Sequence, residues 1–199
     1  MTLNSTKATA PDRLLAAATE SFAQNGFHAT TTRDIAARAG MSPAAVYVHH
    51  ESKESLLFAV SSAGHSEALR VVQQAAEKAG SPADRLRHVV YDFTLWHTEN
   101  SQLARVVQYE FRALAEEHRR ITGNMRREIE AVVIGIVEAG VASGDFTADQ
   151  IFEVARAILS LGVDVVRWYD PSRSAKGKEI AELYSALALK MVGHKTEET

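Results

Sequence analysis

Cysteine is absent from the 199-residue chain, which excludes disulfides, thiolate metal sites and cysteine nucleophiles together. Proline is scarce, with four residues, and none falls inside an apolar repeat. No run approaches the roughly 18 uninterrupted apolar residues of a membrane span. The polar opening MTLNSTKATAPD lacks the apolar stretch of a secretory signal, so a soluble, cytoplasmic protein without membrane association is expected. An excess of basic charge is missing too: 22 Lys+Arg stand against 25 Asp+Glu, a net charge of −3. The first 60 residues are balanced in the same way, so nucleic-acid binding must rest on local arrangement and not on bulk charge. Glycine-rich phosphate loops and nucleophile elbows are absent, and the eight histidines form no i, i+4 pair of the helical zinc kind. No catalysis, metal or cofactor is expected.

What the chain has is apolar residues at helical spacing, punctuated by helix caps. Ser42–Pro43 and Ser81–Pro82 each set a hydroxyl N-cap before a proline at the first helical position, where its missing N–H costs nothing. Capping-box spacings occur at Thr31–Asp34, Ser81–Asp84 and Thr147–Gln150, and Pro171 should stop the helix before it. Sustained period-two alternation and hairpin dipeptides are lacking. The reading is an all-α fold with helices at 11–25, 32–39, 43–49, 53–79, 82–98, 101–115, 118–142, 148–169 and 176–193. A boundary falls near residue 62, separating a small N-terminal bundle from a larger helical body, with helix 53–79 carrying the chain across it.

Helix 32–39, the turn Gly40–Met41–Ser42 and helix 43–49 form a helix-turn-helix arrangement. Ile35, Ala36, Ala39 and Val46 supply its inner faces. The N-terminal half of the second helix presents Pro43, Ala44, Ala45 and Tyr47, next to Ser42 of the turn, with small residues where backbone and base edges would meet. Alanine suits thymine methyls in a major groove about 12 Å wide. Thr31, Thr32 and Lys53 stand at helix N-termini, which favour phosphate, and Arg33 and His49 complete the expected DNA-binding set. Short helix pairs also occur in proteins that never touch DNA.

The string itself is more specific. Gly26–Phe27, Thr31–Thr32, Asp34–Ile35–Ala36, Ala39–Gly40–Met41–Ser42, Val46–Tyr47, Ser52–Lys53–Glu54 and Leu56–Leu57 resemble the N-terminal domain of the tetracycline-repressor (TetR) family of bacterial transcriptional regulators. The resemblance implies a helix-turn-helix three-helix bundle over residues 1–62 and a divergent ligand-binding and dimerisation domain over 63–199. It also implies a homodimer on an operator, with Thr32 and its neighbours, Ser42 to Ala45, Tyr47 and Lys53 contacting DNA. Ala44 stands where the family usually has glycine, and His50 where it usually has phenylalanine.

In the body, helix 148–169 carries apolar residues on two faces and helix 176–193 is apolar nearly all round; such helices need cover on more than one side, which a second subunit would supply. Aromatic and polar groups interleave in the preceding helices. Phe93, Trp96, His97, Val107, Phe111, Arg112, Met125, Ile129 and Arg167 are the candidate lining of an apolar pocket. Gly135, inside helix 118–142, implies either a close helix crossing or room for a ligand. The segment Val165–Pro171 followed by a last apolar helix looks like TetR regulators of lipid and steroid catabolism that answer to acyl-CoA thioesters. The leading expectation is a repressor released from a palindromic operator by a small apolar effector, an acyl-CoA in the reading just given. The alternative is a helical protein, without DNA, that binds or processes an apolar molecule.

Overall fold

The computed structural model describes residues 9–170, Ser172 and residues 175–195. Pro171, expected as a helix stop, lies outside the described residues. Among those described there is no strand. The elements are α1 Ala10–Ala29, α2 Thr32–Ala39, α3 Pro43–His49, α4 Lys53–Ala76, α5 Pro82–Glu99, α6 Ser101–Tyr109, a 3-10 turn Phe111–Ala113, α7 Glu116–Ser143, α8 Ile151–Trp168 and α9 Ala175–Met191.

The caps explain most boundaries. Thr31 and Ser81 close capping boxes with Asp34 and Asp84. Gly40 ends α2 in the left-handed conformation (φ 66°) and donates its N–H to the carbonyls of Ala36 and Ala37, a geometry that glycine adopts without a Cβ penalty. Gly26 (φ 75°) kinks α1. Two expectations fail at helix ends. The Thr147–Gln150 box is not formed: Gln150 caps α8 without a side-chain bond. Thr147 instead donates its N–H to the Val192 carbonyl at 2.9 Å and its hydroxyl to the Gly193 carbonyl at 3.4 Å, so a tertiary tie to the end of α9 outcompetes the local cap. The helix expected over 101–115 stops at Tyr109 and gives way to the 3-10 turn.

Two cores result. Leu14, Phe22, Ile35, Val46, Leu56 and Leu57 are at most 1% exposed and cluster in the head; each such side chain stabilises the fold by about 1.5–3 kcal/mol on burial. Val106 of α6 and Leu114 after the 3-10 turn complete that cluster, so body residues close the head core. The second cluster joins α4, α5, α7, α8 and α9 around Leu86, Val89, Val133, Val137, Ile158 and Val165. Helix α4 belongs to both, with Leu56, Leu57 and Val60 in the first and Ala68, Val72 and Ala75 in the second. At 1.5 Å per residue it is a strut of about 36 Å.

Candidate nucleic-acid interface and body cavity

Helix α3 buries a single residue, Val46, in the head. Its outer side carries Pro43, Ala44, Tyr47, Val48 and His49, all exposed, with Ala45 half-buried. Ser42 accepts the Ala45 N–H at 3.2 Å, leaving its hydroxyl proton free to donate. Arg33 is exposed and Thr32 half-buried at the start of α2. The Thr31 hydroxyl is committed: it donates to Asp34 Oδ2 at 2.6 Å and accepts the Asp34 N–H at 3.2 Å. That pairing with Thr31 holds the Asp34 carboxyl below the usual carboxylate range.

Lys53, expected as a free phosphate ligand, is already engaged. Its Nζ donates to the carbonyls of Phe27 at 2.6 Å and Thr30 at 2.7 Å and lies 4.3 Å from the Phe27 ring centroid. The ammonium thus satisfies the last carbonyls of α1 and fastens the start of α4 to it. Arg38, bonded to Glu20 at 2.9 Å and Gln24 at 2.7 Å, fixes α2 on α1 in the same way. Val48, 80% exposed, is absent from the set that the sequence suggests. It stands one turn after Ala44, and the signal for it is the placement of Val46 as the only inward residue of α3.

The body holds a cavity of about 620 Å³ between α4, α5, α6, α7 and α8. Phe93, Trp96, His97, Val107, Ile129 and Arg167 line it. Phe111, Arg112 and Met125 do not. The early end of α6 takes Phe111 out of helical register with Val107 and packs it against the head cluster, and Arg112 is exposed on the 3-10 turn. Met125 lies about 100° round α7 from Arg126, which does reach the cavity along with Gly64, His65, Ala104, Tyr109, Leu159 and Val163. Gly135 is exposed, and a Cβ added to it would meet no atom within 4 Å; neither a helix crossing nor a cavity accounts for it.

Charge is arranged in two tiers. At the rim, Arg156 bonds Glu130 at 3.0 Å and Arg167 bonds Asp164 at 3.0 Å. Deeper lie His65 and His97. Each donates its Nδ1–H to the carbonyl four residues earlier, Ser61 or Phe93, at 2.8 Å, which makes Nε2 the acceptor. Burial pushes both imidazoles down to about 4, so they are neutral at pH 7. Arg126 donates Nε–H to His65 Nε2 at 2.9 Å and Nη2–H to the Val107 carbonyl at 3.2 Å.

Residues 14–60 match the family model described as bacterial regulatory proteins, tetR family, and residues 79–192 match the tetracyclin repressor-like C-terminal domain. The chain belongs to the TetR family. Across 179 residues this TetR-family chain is 30% identical to the HTH-type transcriptional repressor KstR2 of Rhodococcus jostii RHA1, covering 88% of this chain and 87% of the relative. A solved bacterial regulatory protein of the tetR family from Rhodococcus RHA1 is 44% identical, with a TM-score of 0.90 over 96% of this chain and 100% of that one. AibR, solved in complex with isovaleryl coenzyme A and operator DNA, shares the fold at 20% identity, with a TM-score of 0.83 over 94% of this chain and 100% of that one. The TetR head explains why a chain of net charge −3 can be a DNA-binding regulator: the exposed side of α3 and the start of α2 carry no acidic side chain except Asp34, whose carboxylate is tied into the Thr31 cap. No described helix is long and apolar enough to cross a membrane.

Proposed function

We propose that this TetR-family regulator is a cytoplasmic repressor, binds a palindromic operator as a homodimer, and leaves it when an amphiphilic effector, an acyl-CoA, enters the body cavity. The observation that carries the reading is the position of α4, which forms one wall of the cavity at Gly64, His65 and Ala68 and begins at Lys53 in the head. A ligand that displaces this wall moves the head, and two heads must stay about 34–36 Å apart, or a multiple of that, to occupy successive major grooves. The effector shifts the equilibrium only by its differential affinity for the two arrangements. An acyl chain suits the Phe93, Trp96, Val107, Ile129 and Leu159 walls. The coenzyme would remain at the rim, where the phosphates meet Arg156 and Arg167, 72% and 64% exposed. AibR with its acyl-CoA supports this class of ligand.

In the head, Thr32, Arg33 and Ser42 serve phosphates, while Pro43, Ala44, Ala45, Tyr47, Val48 and His49 face the groove. Dimerisation is read from apolar rows that the chain covers only in part: Val154, Leu161 and Trp168 recur every seven residues on α8, and Ile180, Leu183, Tyr184, Leu187 and Met191 run along α9, all half-buried or exposed. An electrophoretic mobility shift with DNA upstream of its own gene tests the proposal. Retarded DNA that is released by micromolar medium-chain acyl-CoA is expected; retention at saturating acyl-CoA would refute the effector class, and no retardation of this or of the flanking intergenic DNA at micromolar protein would refute operator binding.

A further inference from the structure

The cavity contains a cation that no described carboxylate neutralises. The two carboxylates on its wall are taken, Glu130 by Arg156 and Asp164 by Arg167. Arg126 has neutral acceptors alone among the described residues: the imidazole of His65 and the carbonyl of Val107. Behind it lies the Phe111 ring, 4.2 Å from the guanidinium carbon. Desolvation lowers its proton affinity, yet an arginine remains charged at pH 7. A partly buried charge without a counter-ion is costly, and an anion completes it.

The bonds it now makes say what that anion would displace. Nε–H and Nη2–H form one edge of the planar guanidinium, the fork that a carboxylate takes with both oxygens. Here that edge spans two helices, holding His65 of α4 and the end of α6 at Val107. The same two helices meet closely there, since a Cβ on Gly64 would sit 2.7 Å from Val107 Cγ2. His65 cannot turn to another role without losing its Nδ1–H bond to Ser61. Phe111, held by the cation from the cavity side, packs against the head core.

We propose that Arg126 recognises an oxyanion at the inner end of the effector's apolar chain, and that in doing so it releases the α4–α6 contact that steadies the head. The inference rests on the reading of the cavity as the effector site and adds to it a carboxylate on the buried end of the ligand, whether that end belongs to a free acid or to a diacid joined to coenzyme A at its other end. A charged acceptor replaces two neutral ones on a single fork, so the exchange favours the ligand-bound arrangement. The α4–α6 tie is then lost without any change in the rim.

Matched probes test this on the full-length protein. Calorimetric affinities for decanoate against decanol, and for sebacoyl-CoA (its free carboxylate at the far end) against decanoyl-CoA, isolate the inner charge. The carboxylate member of each pair should bind at least about tenfold more tightly to the wild type, and both ratios should fall to near one in Arg126→Met. Arg126→Met and His65→Leu should each also weaken ligand-free operator binding in fluorescence anisotropy towards the level that decanoate leaves in the wild type. Circular-dichroism melts show whether either variant is folded, and Arg126→Lys, which keeps the charge but not the fork, should retain part of the ratio while losing the tie. Ratios near one in the wild type, or ratios that survive Arg126→Met, overturn the inference while leaving the cavity as an effector site. If none of the four probes binds at millimolar concentration to a protein that still holds its operator, the cavity reading fails and the inference with it.

Discussion

Mild acid should destabilise this protein through two histidines buried in the wall of its cavity. An ordinary histidine titrates near 6.5; in the fold His65 and His97 are held down to about 4 because burial disfavours the imidazolium. Between those values the unfolded chain holds the proton and the folded one does not, so stability falls as pH drops from about 6.5 towards 4 and is fully present above it. At pH 5 the imbalance costs about 2 kcal/mol for each histidine relative to pH 7.5, about 4 kcal/mol for the pair. Arg126, bonded to His65, works in the same direction by opposing a second positive charge. Among the described residues no carboxylate pairs with His97; its ring contacts Phe93 and Trp96. Urea unfolding at pH 7.5 and 5.0, at one protein concentration, measures the difference, and His97→Leu should remove about half of it whatever that substitution does to stability at pH 7.5. The reasoning is wrong if His97→Leu loses as much stability on acidification as the wild type.

Other outcomes follow from the same geometry. Lys53→Ala, which removes the bonds to the Phe27 and Thr30 carbonyls, should cost about 1.5–3 kcal/mol in urea unfolding and weaken all DNA sequences alike; a change of base preference at one operator position would contradict the anchoring role. Gly162→Ala places a Cβ 2.8 Å from Phe93 Cδ1, so that ring, part of the cavity lining, must shift. Acyl-CoA affinity should drop while ligand-free operator affinity holds, and equal affinities for the effector would show that Phe93 does not bound its site. Leu183→Glu with Leu187→Glu charges the partly covered row of α9, and light scattering should then read near 21.7 kDa instead of twice that mass; an unchanged dimer would move the interface elsewhere.

Local chemistry determined the head. The caps at Ser42 and Thr31, the left-handed Gly40 and the small inner residues Ala36 and Ala39 act over a few positions, so the helix pair and its outer face were legible from the chain alone. The all-α class and the partly covered faces of α8 and α9 were legible for the same reason, as they follow from spacing along one helix. What only the tertiary structure decided were roles that depend on a partner distant in sequence. Lys53 is consumed by carbonyls 26 and 23 residues before it, Thr147 by the end of α9, and His65 by Arg126, 61 residues on. Phe111 reads as cavity lining in the sequence because its spacing from Val107 continues a helix that in fact stops at Tyr109. Met125 reads the same way because spacing alone does not say which side of α7 faces the cavity. Hydrogen-bond donors and charges go to the acceptors that folding brings within reach, and periodicity along one helix carries no information about which those are.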